Sequence, residues 1–257
     1  MDNTPKIEYK SEYFFAIFDL GAKMTDEVMS PIVGRPIRAA SHTLTNRMVA
    51  AIPDFVPDRT GANPATEGFT LEDLTQCVMR SGNDQEEAVK LAFKMPQAQL
   101  ALDSWKQYAR EYVDAVHTSM ETALLCSFEN HIPPVESLRR SVKMQIIEYL
   151  KMLRDKTWPI VAQFVDYNRR PFTMATDELA QLTCMYEKRY LSELANASET
   201  AIDDLAAAAL RVMAEVRAYF EIMRKRANDM VVGLTWSELW DSFVEGFRPS
   251  LLDNTFM

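Results

Sequence analysis

Leu102, Trp105, Ala109, Tyr112, Val116, Met120, Leu124 and Phe128 recur at steps of three and four, laying one apolar stripe along roughly seven helical turns. The stripe begins after Pro96 and stops before Pro133-Pro134, whose second proline suits the first position of a following helix. Leu138, Val142, Ile146, Leu150 and Leu153 carry the same spacing forward. Trp158-Pro159 predicts a kink rather than an end, because Val161, Phe164 and Val165 resume the apolar face, and Pro171 predicts a second kink or stop. A helix over about 175–195 follows, through Leu179, Leu182, Met185, Tyr186 and Leu191.

Another stripe runs through Ile202, Leu205, Ala209, Val212, Val216, Phe220, Met223, Ala227 and Met230. Ser198, with Glu199 and Asp203 near the first turn, is expected to open this helix, and Gly233 to cap its end. Arg224, Lys225 and Arg226 would then lie near the negative end of the dipole. Thr235-Trp-Ser-Glu238 reads as a capping box for a last short helix through Leu239, Trp240 and Phe243. Nearer the amino end, a helix is predicted over 9–30 with Pro31 as its stop, and a short one over 35–51. Pro53, Pro57, Gly61, Pro64 and Gly68 mark a loop and the best internal boundary. Thr70-Leu-Glu-Asp73 resembles a helix-opening cap, and a break near Ser81-Gly82-Asn83 divides the helical stretch 70–94.

Only seven glycines stand among 257 residues, which leaves little material for tight hairpins and none for a phosphate-cradling Gly-rich loop with Lys-Ser/Thr. Fold class follows: all-α, an elongated antiparallel helical bundle of long helices on short connections. The net charge of −9 argues against a general nucleic-acid binder. Residues 139–170 nonetheless carry Arg139, Arg140, Lys143, Lys151, Arg154, Lys156, Arg169 and Arg170 against Glu148, Asp155 and Asp166, a local +5. Such a face reads either as a solvated surface paired with acidic helices, such as that of Glu72, Asp73, Glu86 and Glu87, or as a contact for anionic lipid or an acidic partner. Cys77, Cys126 and Cys184 are odd in number and far apart, as expected of reduced thiols in the cytoplasm. The apolar run at Tyr13 to Phe18 breaks at Asp19, too early for a spanning helix. Asn196-Ala-Ser198 matches the glycosylation pattern and is expected to stay unmodified there. His42, His117 and His131 are isolated from a second ligand at one-turn spacing, so neither metal nor cofactor is expected. Trp105, Trp158, Trp236 and Trp240, and the methionines Met213, Met223 and Met230, read as core or interface anchors.

Several segments together carry a resemblance. Ile52-Pro-Asp-Phe-Val56 resembles the Leu-Pro-Gly-Phe segment before the central stalk helices of the dynamin superfamily, and Trp105-Lys-Gln-Tyr-Ala109 with Val113-Asp-Ala-Val116 resembles the helix that follows it. Asn168-Arg-Arg-Pro-Phe-Thr-Met174 is similar to the family's Arg-Xaa-Pro-Xaa-Thr-Xaa-Asn-His-Tyr stretch, with Ala175-Thr176-Asp177 standing where Asn-His-Tyr is common. Met213-Ala-Glu-Val-Arg-Ala-Tyr-Phe-Glu221 and the basic turn Arg224 to Met230 resemble the effector region, and Leu239-Trp-Asp-Ser-Phe243 its final short helix. Roughly residues 45–250 are thus similar to the stalk and GTPase effector region of fungal dynamin-like and myxovirus-resistance-type proteins.

The resemblance implies three regions: 1–66, an N-terminal helical segment and Pro/Gly loop; 67–197, the stalk helices; and 198–257, effector-like helices. It implies a non-catalytic module without the GTPase head, acting in self-assembly or in regulation of a dynamin-type GTPase during membrane remodelling, or else a fragment of a GTP-hydrolysing dynamin-like protein, with GTP binding by family only. Partners would be further copies of the chain or such a GTPase, with weak anionic membrane contact through the basic face and a cytoplasmic location peripheral to a membrane. The assembly interface is expected at Arg169, Arg170, Pro171, Phe172, Arg217, Tyr219 and Arg224. The loop used by relatives for target contact would fall near Leu191 to Thr200, too short to hold a lipid-binding domain. The alternative readings are an unrelated helical scaffold, such as a nucleic-acid-binding coat-type protein, and a helical enzyme or ligand binder, for which no motif is present.

Overall fold

Gly68 brings two chain segments within backbone contact: the Phe69 amide donates to the Asp54 carbonyl at 2.7 Å, and a Cβ on Gly68 would lie 2.6 Å from that oxygen. The contact seats β1 (Phe55–Val56) beside β2 (Phe69–Thr70) as a parallel pair. In the computed structural model the described residues are 31–57, 68–131, 136–197 and 202–256. The predicted helix over 9–30, the opening at Ser198 and Glu199, and the place of Pro134 lie outside them. Apart from the two-residue strands, the described elements are helical: α1 (Pro31–Ala50), α2 (Leu71–Arg80), α3 (Gln85–Phe93), α4 (Pro96–His131), α5 (Glu136–Tyr167), α6 (Thr176–Ala197), α7 (Asp204–Thr235), a wider π turn (Trp236–Asp241) and α8 (Ser242–Phe256). The chain is an all-α helical bundle.

Local chemistry sets most of these boundaries. Thr70 leaves β2 with extended backbone and caps α2 through the full box: its Oγ1 accepts from the Asp73 amide at 3.2 Å, and its own amide donates to Asp73 Oδ2 at 2.9 Å. The break before α3 is made by Gly82 (φ 65°) and Asn83 (φ 70°), consecutive left-handed residues, after which Asp84 caps α3. Pro96 opens α4, where its missing amide costs nothing. Pro159 lies within α5, which continues to Tyr167 as its resumed apolar spacing predicts. Asp203 caps α7, its Oδ1 accepting from the Ala206 amide at 2.7 Å.

The expected end of α7 is corrected by the structure. Gly233 sits in mid-helix with open space around it, and Thr235 has helical angles (φ −61°, ψ −41°) with no side-chain cap. A capping box needs a chain arriving from non-helical backbone, whereas here the helix runs on. Leu239 is fully buried and Trp236 stacks on Trp240 at 5.7 Å, so burial of these side chains on a continuous helical backbone overrides the local signal.

The chain divides into two compact units, each interleaved in sequence. One draws on Met1–Leu44, Ala109–Ala162 and Val231–Met257, the other on Thr45–Tyr108 and Gln163–Met230. In the first, Tyr149 meets Phe243 and Phe247 at 6.0 and 5.5 Å, Arg110 lies over the Trp158 ring, and the Tyr112 hydroxyl accepts from Ser41.

In the second, α7 is buried far beyond the predicted stripe. Ala209, Val212, Val216, Phe220, Met223 and Ala227 are buried as expected, and so are Ala206, Leu210, Met213, Ala214, Ala218 and Ile222. Small alanines let neighbours approach on those further sides. Met230, at the end of the stripe, is exposed. Phe220 packs on Phe93 at 4.9 Å, on Trp105 edge-on at 5.9 Å and near Phe55 at 6.5 Å, while Phe55 stacks on Phe69 and Tyr190. Trp105 is buried yet satisfied, its Nε1 donating to the Met48 carbonyl at 3.0 Å.

Phe220→Ala removes the ring shared by these contacts and is expected to cost about 3–5 kcal/mol in urea unfolding. Gly233→Ala is expected to raise stability by up to about 1 kcal/mol, because the position is helical and open. A loss of stability in the second variant would restore Gly233 as a left-handed cap.

Candidate functional site

The connection between α5 and α6, residues 168–175, is built by side chains that turn inward and leaves others outward. Asn168 is buried, and its Nδ2 and backbone amide both donate to the Phe164 carbonyl, closing the last turn of α5. Pro171 supplies no amide and holds Arg170 away from helical backbone, so the chain leaves the helix. At the far side the Ala175 amide donates to Thr173 Oγ1 at 3.0 Å, just ahead of the first turn of α6.

Three cations secure this turn. Arg169 pairs with Asp103 and, at 3.1 Å, with Asp166, while Lys106 reaches the other oxygen of Asp166. Burial alone would raise the Asp166 carboxyl, but Lys106 and Arg169 outweigh it and hold the group below the usual carboxylate range. Burial likewise opposes the charge on Arg169, and Asp103 with Asp166 outweighs it, holding the guanidinium above its ordinary value. From α7, Arg226 donates its Nε to Asn168 Oδ1 and its Nη1 to the Phe172 carbonyl at 3.1 Å. Tyr167, Phe172 and Met174 are left 71%, 58% and 84% exposed, beside an exposed Arg170.

The seven residues expected at an interface therefore divide. Arg170 and Phe172 face solvent, and Pro171 is half-buried between them. Arg169 is spent on Asp103 and Asp166. Glu221 holds both Arg217 at 2.8 Å and Arg224 at 3.3 Å, and Arg217 also lies over the rings of Tyr186 and Phe55. Tyr219 is edge-on to Phe93, and burial, followed by Glu215, raises its phenol. Arg224, Lys225 and Arg226 stand in mid-helix, since α7 extends to Thr235, and each answers a different partner: Glu221, Glu178 and Asn168. The expected interface left out Tyr167, Asn168, Met174 and Arg226, although the quoted segment Asn168 to Met174 and the basic turn Arg224 to Met230 already contained the last three.

Elsewhere on the basic stretch, Lys143 pairs with Glu129, Arg154 with Asp155 and Lys156 with Glu238. The acidic residues first considered as partners are used locally: Asp73 caps α2, Glu72 bonds Gln76, and Glu86 and Glu87 hold Lys90. Among the described residues no group of three or more His, Cys, Asp or Glu side chains could hold a metal ion, and no helix is long and apolar enough to cross a membrane. Cys77 is buried, its thiol raised by that burial, with Sγ 3.8 Å from Met95 Sδ; Cys126 and Cys184 are exposed. Comparison with family models, with curated proteins and with solved structures gives no match of any of the three kinds.

His117, in α4, is a buried titratable group outside this turn. Its Nε2 has no hydrogen-bond partner among the described residues and lies 4.0 Å from Glu121 Oε2. Burial, then Arg154, depress its pKa against the opposing pull of Glu121, Asp114 and Asp155. The unfolded chain therefore binds the proton more readily, so stability is present above about pH 6.5 and falls as the pH drops below it. His117→Gln is expected to flatten the stability profile between pH 7 and 5 in urea titrations, by no more than about 1.4 kcal/mol per pH unit.

Proposed function

We propose that this chain is a non-catalytic helical assembly module of the dynamin-stalk type, which self-associates and through that association serves or regulates a dynamin-type GTPase at a membrane. The observation that carries the reading is the turn 168–175, where Phe172 and Met174, with Tyr167 at the end of α5 just before it, stand in solvent on a backbone fixed by Arg169 and Arg226. Exposed aromatic and methionine side chains on a rigid support are what a protein contact needs, because little conformational freedom is lost when they are covered. The occupant proposed is a second copy of the chain: its net charge of −9 supplies acidic surface to meet Arg170. The dynamin kinship itself rests on the quoted sequence segments, and the burial of α7 as the spine of its unit agrees with an effector helix folded back on stalk helices.

Sedimentation velocity over a concentration series tests the assembly. The wild type is expected to exceed monomer mass at tens of micromolar, and the double variant Phe172→Ser, Met174→Ser to remain monomeric. A wild type that stays monomeric throughout, or a variant that assembles equally well, defeats the reading. GTP turnover by the purified chain would contradict it outright, and salt-sensitive RNA binding would favour the coat-type alternative.

A further inference from the structure

An arginine three residues before a serine or threonine is a charge pattern read by arginine-directed protein kinases, and it occurs here at Ser41, Thr157, Thr173 and Ser192. A kinase needs the acceptor hydroxyl free and the flanking chain able to lie in its cleft, so the fold separates the four. Ser41 lies in α1 with its Oγ bonded to the Ile37 carbonyl and the Tyr112 hydroxyl. Thr157 is 1% exposed in α5 and donates to the Leu153 carbonyl. Ser192 is helical in α6, and its arginine, Arg189, is held by Glu193 at 2.7 Å.

Thr173, itself half-buried, differs in its non-helical backbone and in its free arginine. It lies in the irregular chain between α5 and α6, between the exposed side chains of Phe172 and Met174. Arg170, its arginine at the third position before, is exposed and has no ion pair among the described residues. Among the described residues the only hydrogen bond at its Oγ1 is one accepted from the Ala175 amide, which leaves the hydroxyl proton uncommitted.

Arg226 is a half-buried guanidinium whose partners are neutral, the Asn168 side chain and the carbonyl of Phe172, the residue bonded to Thr173. No carboxylate pairs with it among the described residues, and burial lowers its pKa. Such a cation one residue from a hydroxyl is a ready partner for a dianion, and the amino end of α6 follows three residues on.

The geometry assigns Thr173 as a phosphorylation site for an arginine-directed serine/threonine kinase, with Arg226 and Arg170 holding the phosphate once it is attached. In the transfer, the bond from Thr173 Oγ1 to the γ-phosphorus of a nucleoside triphosphate forms as the bond from that phosphorus to the β–γ bridging oxygen breaks. The nucleoside diphosphate leaves, and the threonine proton passes to the catalytic aspartate of the kinase. The outward face of the turn, now basic and apolar, then gains an anion of about −1.5 to −2. This assignment stands whether or not the turn docks a second copy.

Incubation of the folded chain with the catalytic subunit of a cyclic-AMP-dependent kinase and γ-labelled ATP, followed by phosphopeptide mapping, tests it. Label is expected at Thr173, absent from Thr173→Ala and slowed about tenfold or more in Arg170→Ala. Arg226→Gln, which gives up the hold on the Phe172 carbonyl, is expected to accept label at least as fast as the wild type. Its phosphate should titrate at about 6 by phosphorus NMR, whereas the wild-type phosphate titrates lower. Arg226→Lys, which keeps the charge without the fork, should fall between them and serves if the glutamine variant fails to fold. Label at Ser41, Thr157 or Ser192 in place of Thr173, or none on the folded chain, overturns the site. A phosphate titration unchanged by both Arg226 variants overturns the assigned role of that residue.

Discussion

Phe220 draws α7 into an aromatic nest where Phe93, Trp105 and Phe55 surround one ring, and the unit formed by Thr45–Tyr108 and Gln163–Met230 is arranged about that contact. The rest of α7 makes the arrangement tolerable to the backbone. Ala206, Ala209, Ala214, Ala218 and Ala227 are all buried, and alanine gives up no side-chain rotamers and leaves room for neighbours on several sides at once. Trp105 adds a constraint of direction as well as volume. Its indole N–H must find an acceptor once buried, and the Met48 carbonyl near the end of α1 supplies it.

From the same unit comes the division of labour in the turn 168–175. Arg169 and Arg170 are neighbours in sequence with opposite fates. The first is drawn under by Asp103 and Asp166; the second stays in water because Pro171 carries the chain away from the helix. Arg226 then holds the turn by its backbone, through the Phe172 carbonyl, so the Phe172 ring takes no part in fixing it. An irregular segment fixed through its main chain can present its side chains outward, which connects this packing to the proposed contact and to a reachable Thr173.

Two copies of one motif show what sequence spacing conveys and what it omits. Thr70 with Asp73 and Thr235 with Glu238 both read as helix openings. At Thr70 the chain arrives extended from a strand, and the reciprocal hydrogen bonds form. At Thr235 the residue is already helical, its side chain is buried, and Glu238 turns to Lys156. The backbone beyond widens into a π turn, which admits one more residue per closed ring and brings Trp236 onto Trp240.

Periodicity, prolines and the Gly82-Asn83 break were enough to determine the fold class, the continuation of α5 past Pro159 and the starts of α2, α3, α4 and α6, because these depend on contacts between residues a few positions apart; α1 begins at Pro31, ahead of the expected 35. Only the tertiary structure decided that α7 would be buried on several sides, that Gly233 would lie inside a continuing helix, and which arginine of each cluster would be spent internally. Those outcomes turn on partners far away along the chain: Asp103 for Arg169, Asn168 for Arg226, Lys156 for Glu238. A charge written in sequence is free to pair with any of them until packing brings one within reach.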